Sequence, residues 1–172
     1  MGEFRIGRKS AQHFYPERAR GTALALARNF ASGPEDDTGI VGGGGTQIPW
    51  SAIASGAPAG VHVPITPKST GIILVVAVFT AKNSSSDPVV LDTIQLNVQI
   101  NDVSMTIPAT VQHTIVDAQD TQAIQVMAKT SALPIGVTAN ISILATQIAG
   151  SNLSVLSGTA TLELQEVSDA TG

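Results

Sequence analysis

From about Val61 onward the chain alternates apolar and polar residues with a period of two. Thr93 to Ile100 puts Ile94, Leu96, Val98 and Ile100 on one side. Ala123 to Lys129 sets Ile124, Val126 and Ala128 against Gln125 and Lys129, and the runs Val137 to Ile143 and Thr159 to Gln165 repeat the alternation. This is the pattern of strands with one buried and one wet face. Turn chemistry separates the runs at Ser84 to Pro88, Asn101-Asp102, Asp117 to Asp120, Leu133 to Gly136, Gly150 to Asn152 and Ser157-Gly158. The spacing predicts eight or nine short strands and an all-β fold, an antiparallel β-sandwich or barrel.

One run breaks the rule. Gly71 to Phe79 is apolar at nearly every position, so a strand there has a second apolar face needing cover. Burial against a sister subunit is one cover, and a loop or the N-terminal segment is the other. The odd-numbered set Ile73, Val75, Ala77 and Phe79 is the expected subunit interface, with Leu74 and Val76 as the opposite register.

Ahead of the strands lie two segments of different character. Residues 31–60 are punctuated by Gly33-Pro34, Gly42 to Gly45 and Gly56-Ala57-Pro58, which predicts a linker. Trp50 stands alone there, as the expected cap on the edge of a core. Residues 1–30 form a basic, aromatic arm with a short helix expected over Ala19 to Asn29. The expected body is therefore 61–167, with a tail over 168–172.

Charge sharpens this division. Residues 1–30 hold six of the nine basic residues (Arg5, Arg8, Lys9, Arg18, Arg20, Arg28) against Glu3 and Glu17, a net +4. Residues 31–172 hold Lys68, Lys82 and Lys129 against eleven acids, a net −8. Four of the six aromatics also fall in the arm: Phe4, Phe14, Tyr15 and Phe30. Such asymmetry implies that the arm has its own partner. Arg5, Arg8, Lys9, Phe14, Tyr15, Arg18, Arg20 and Arg28 are the expected attachment residues.

The search for reactive constellations returns little. The chain has no cysteine, which removes thiol nucleophiles and thiolate metal sites. His13, His62 and His113 share no metal-ligand spacing, no Gly-x-Ser-x-Gly elbow occurs, and the glycine run at 42–45 lacks the lysine of a phosphate loop. Glu35-Asp36-Asp37 lacks the alternating spacing of a calcium loop. The expectation is a non-enzymatic protein without cofactor or metal. The N-terminus lacks a secretory apolar run, and Ile72 to Phe79 is far short of the roughly 20 residues of a membrane helix. A soluble chain made in a host cytoplasm, with no membrane partner, follows as the expectation.

Leu133-Pro-Ile-Gly136, the run Val137 to Ile148, and Gly158-Thr-Ala-Thr-Leu-Glu-Leu-Gln-Glu-Val167 resemble the closing strands of a tumour-necrosis-factor/C1q-like jelly roll. The resemblance spans at most residues 61–167 and rests on pattern; the family's usual tyrosines and phenylalanines are missing. It implies a jelly-roll-like body in a homotrimer. Bacteriophages use such bodies as head-decoration (cement) proteins, and that is the expected function: a virion protein bound through its arm to the major capsid protein, or another virion protein, on the capsid exterior. The alternatives are a head- or tail-fibre adhesin with a receptor-binding jelly roll, and a genome-packaging capsid protein with a basic arm. Nucleic acid is not the expected partner, because the cations of the arm are loosely spaced and no base-stacking module surrounds them.

Overall fold

The computed structural model describes residues 26–84, 92–105, 110–115, 120–150 and 153–168. Strands follow one another in the order β1 (Arg28–Gly33), β2 (Thr38–Gly39), β3 (Thr46–Gln47), β4 (Ala52–Ile53), β5 (Val63–Ile65), β6 (Ile73–Asn83), β7 (Asp92–Ile100), β8 (Val103–Ser104), β9 (Thr110–Ile115), β10 (Thr121–Lys129), β11 (Ala139–Ala149), β12 (Leu153–Val155) and β13 (Ala160–Glu166). There is no helix among the described residues.

The strands make two antiparallel sheets, of seven and six members. The centre of the first runs β10–β6–β13–β1, and the centre of the second runs β5–β11–β7–β9. Numbering these eight strands along the chain gives orders 6-3-8-1 and 2-7-4-5, the interleaving of a jelly roll. The fold is therefore the expected β-sandwich.

Period-2 alternation places the core where the sequence puts it. Ile94, Leu96 and Val98 of β7, Ile124, Val126 and Ala128 of β10, Ile141 and Ile143 of β11, and Ala160, Leu162 and Leu164 of β13 are all buried between the sheets. The turn at Asn101-Asp102 has positive φ at both residues (49° and 65°), and it joins β7 to β8 as a two-residue hairpin of the kind that matches strand twist.

Four expectations need correction. Residues 31–60 are not a linker but part of the body. β1 pairs with β13 from Arg28↔Gln165 to Gly33↔Ala160, and β2, β3 and β4 each join a sheet. The glycines and prolines there divide the chain into two-residue strands too short for any period to show. At Gly45 the reason is spatial: φ is +76°, and a Cβ would sit 3.0 Å from the Ala145 carbonyl oxygen of β11. Trp50 is a core residue, only 1% exposed, and its backbone bridges to Gly60. The expected helix over 19–29 gives way to strand at Arg28 and Asn29, and its residues up to 25 lie outside the described residues. Finally, Ile73, Val75, Ala77 and Phe79 are no subunit interface. Each is at most 1% exposed within the chain's own core, because β6 turns its odd-numbered side toward the opposite sheet.

Candidate interaction surface

Because β6 is apolar on both sides, its even-numbered residues decide what the seven-stranded sheet shows to the outside. Leu74, Val76 and Val78 point away from the core and are half-buried by their neighbours. Register extends them into cross-strand rows. Met127 of β10 lies opposite Val76, Val76 opposite Glu163 of β13, and Glu163 opposite Phe30 of β1. Met127 is 57% exposed and Phe30 43%, so two large apolar side chains stand at either end of that row. The adjacent rows are Lys129–Leu74–Gln165–Arg28 and Gln125–Val78–Thr161–Ser32. Side chains directly opposite one another in antiparallel strands are in contact range, so these rows form one patch.

The other sheet differs in kind. Its outward positions are mostly polar, with Gln95, Asn97 and Gln99 on β7, Asn140, Ser142 and Thr146 on β11, and Gln47 on β3; Leu144 and the exposed Ile148 and Val103 are the apolar exceptions. The Gln47 amide donates to Gln99 Oε1 at 2.9 Å and to Asp102 Oδ1 at 3.0 Å, and His62 Nε2 lies 2.7 Å from the same Asp102 oxygen. The hydrogen bond from His62, with a smaller one from Gln47, holds the Asp102 carboxyl below its usual range. The Ser142 hydroxyl donates to Gln99 Oε1 at 3.3 Å, which extends this polar network along the sheet. His62 is partly exposed and lies just before β5. His113 lies in β9 opposite Ile94, and His13 lies outside the described residues.

Charge also distinguishes the two faces. Of the four cations among the described residues, Arg28, Lys82 and Lys129 lie on the outward side of the seven-stranded sheet, with Glu163 as the carboxylate there. This face is thus apolar and mildly cationic on a body that is strongly acidic.

A third feature, buried rather than exposed, anchors the edge of the patch. Glu166 ends β13 at an inward position and is fully buried. Its Oε1 accepts the backbone N–H groups of Ser69, Thr70 and Gly71 at 2.7–2.9 Å, and its Oε2 accepts those of Ala27 and Lys68, each at 2.9 Å. Burial alone would raise the pKa; the N–H groups of Ala27, Gly71, Lys68 and Ser69 override it and hold the carboxyl at about 2. Alternation predicts this carboxylate inward, since Leu162 and Leu164 precede it in phase, although sequence reasoning did not single it out. The residue positions the loop over 68–71 and the root of the arm.

Of the sequence-predicted attachment residues, Arg28 is an exposed residue of β1, next to Asn29 and one turn of the pleat from Phe30. Arg5, Arg8, Lys9, Phe14, Tyr15, Arg18 and Arg20 lie outside the described residues. Glu35, Asp36 and Asp37 line a shallow cavity of about 360 Å³ beside Trp50, and Asp37 accepts the Ser157 N–H at 2.7 Å. No three His, Asp or Glu side chains among the described residues cluster in a way that could hold a metal ion.

No protein-family model and no curated protein sequence matches the chain. Among solved structures it is similar to Eiger TNF from S. frugiperda, with a TM-score of 0.47 and 14% identity, over 85% of this chain and 94% of that one.

Proposed function

We propose that this chain is a non-enzymatic structural subunit of a bacteriophage particle. Its body associates with copies of itself, as a trimer, through the outward face of the seven-stranded sheet. Its N-terminal segment attaches it to the outside of the capsid shell. The observation that carries the reading is the row Met127–Val76–Glu163–Phe30, flanked by Leu74 and Val78. Covering such side chains contributes roughly 1.5–3 kcal/mol for each large one fully removed from water. A second copy is the occupant that fits, because the face carries the Glu163 carboxylate beside Arg28, Lys82 and Lys129 and so offers both partners of an ion pair to another copy of itself.

The attachment half rests on the arm. Residues 1–25 carry Arg5, Arg8, Lys9, Arg18 and Arg20 together with Phe4, Phe14 and Tyr15, and they enter the body at a point fixed by the Glu166–Ala27 bond. A chain of 25 residues reaches roughly 80 Å when extended, at about 3.3 Å per residue, enough to cross onto a neighbouring subunit. A ligand that binds only the assembled shell stabilises that shell by mass action. Co-sedimentation with stripped shells tests this: the full chain should pellet with them, and residues 26–172 alone should stay in solution. Full occupancy by the shortened chain would move the attachment surface onto the body.

A further inference from the structure

Between β1 and β5, one strand from each sheet, the chain leaves a cleft of about 240 Å³. Its frame is set by the buried Asn29. The Asn29 Nδ2 donates to the Pro64 carbonyl at 2.6 Å, and its Oδ1 accepts the N–H groups of Phe30 and Ser55 at 2.8 and 3.1 Å. One amide therefore ties β1, β5 and the turn after β4 into a fixed wall.

Beside Ala27, Pro64 and Ile65, the residues around this wall carry side-chain donors. Arg28 and Lys68 line the cleft, together with Ser55, Thr66 and Thr138. Two of the four cations among the described residues thus meet at one small cavity, and neither makes an ion pair among those residues. The Thr66 and Thr138 hydroxyls lie 2.7 Å apart and share one hydrogen, which leaves one O–H of the pair free to donate. No carboxylate lines the cleft. Glu166 accepts the backbone N–H groups of Ala27 and Lys68 on the same rim; five donors fill its acceptor sites, and its remaining negative charge is what the Arg28 and Lys68 side chains must outweigh. Glu163 lines an adjoining cleft of about 280 Å³, which shares Arg28, Asn29 and Ser55 and adds the apolar side chain of Phe30.

We propose that the cleft between β1 and β5 binds a small oxyanion, a phosphate or sulfate group, held by Arg28 and Lys68 and by the hydroxyls of Ser55, Thr66 and Thr138. The cavity lies below the roughly 300 Å³ at which drug-sized sites begin, so it suits one such group rather than a whole ligand. The guanidinium and ammonium supply charge-assisted bonds, the strongest available to an oxyanion. The apolar cleft beside Arg28 can seat the carrier when the group is an ester. This site goes beyond the structural role proposed above; it shares Arg28, and its adjoining cleft shares Phe30, with the face proposed for self-association, so a bound oxyanion would lie at the rim of that interface.

The test is an NMR titration of the full chain at neutral pH with inorganic phosphate, inorganic sulfate and phenyl phosphate, each against chloride at equal ionic strength. Saturable shifts are expected at the amides of Ser55, Thr66, Lys68 and Thr138 for all three oxyanions and not for chloride. Arg28→Gln and Lys68→Gln should each weaken binding about tenfold, the worth of one charge-assisted bond. Both side chains are exposed, and the Lys68 N–H that serves Glu166 is retained, so the variants should keep the parent's melting temperature. Lys82→Gln, distant on β6, should bind as the unsubstituted chain does. Tighter binding of phenyl phosphate would assign the site to an ester, and equal binding would assign it to the free ion. Shifts that track ionic strength alone, or Gln variants that bind as the parent does, would overturn the proposal.

Discussion

The Glu166 carboxylate accepts the backbone N–H of Ala27 at 2.9 Å, joining the last residue of β13 to the residue just before β1 across 139 positions of sequence. The same group gathers the N–H groups of residues 68–71. One side chain thus closes the place where the arm enters, the loop before β6 begins and the final strand ends.

That bond makes stability depend on acid. Folding lowers the Glu166 pKa from 4.5 to about 2, so its contribution is fully present above about pH 4.5 and is lost as pH falls toward 2. Glu166→Gln should lose about 3 kcal/mol at neutral pH, because an amide cannot accept on both sides and turns an NH₂ toward N–H donors. Urea unfolding at pH 7 and at pH 3 measures both effects. The parent should lose stability between the two pH values, and the variant should lose less.

A cut at residue 25 should be harmless to the fold, and a cut at residue 33 should not. Removing residues 1–33 deletes β1, whose six residues pair with β13 and include the fully buried Ala31. It also removes the Ala27 donor from Glu166. Thermal melting followed by circular dichroism should therefore give residues 26–172 the melting temperature of the full chain. Residues 34–172 should melt far lower or fail to fold.

Gly71 tests the loop that Glu166 holds. Its φ is +74°, and a Cβ there would overlap the Leu133 carbonyl oxygen. Gly71→Ala should cost about 3 kcal/mol, combining left-handed strain with overpacking. Gly56 has φ +78° but open space around it, so Gly56→Ala should cost only about 1 kcal/mol. The difference in denaturation midpoints reads the steric part directly.

Where alternation exists, the sequence predicts burial residue by residue, as at Ile94, Leu96 and Val98. Where it does not, two kinds of information are missing. β2, β3 and β4 have two residues each, too few for a period, so their Gly- and Pro-rich surroundings read as linker. β6 is long but apolar on both sides, so it carries no parity of its own. Its partners supply the parity: Leu164 and Ala128 lie opposite Val75, and Leu162 and Val126 lie opposite Ala77. Those partners alternate unambiguously, so pairing them with β6 turns its odd-numbered residues inward. The idea of an exposed apolar face on β6 was legible in the sequence; which residues form it was not.

The outward face is tested most directly by two neighbouring substitutions on β6, read by light scattering coupled to size exclusion. Val76 points outward in the centre of the patch, and Val75 is fully buried. The unsubstituted chain should run as an oligomer of defined mass. Val76→Asp should run as a folded monomer with a modestly lower melting temperature, because the new carboxylate lies opposite Glu163 at a half-buried position yet still reaches water until a partner tries to cover it. Val75→Asp should fail to fold, because it buries a charge in the core without a partner. A monomeric parent, or a Val76→Asp chain that keeps the parent's oligomeric mass, would contradict self-association through this sheet.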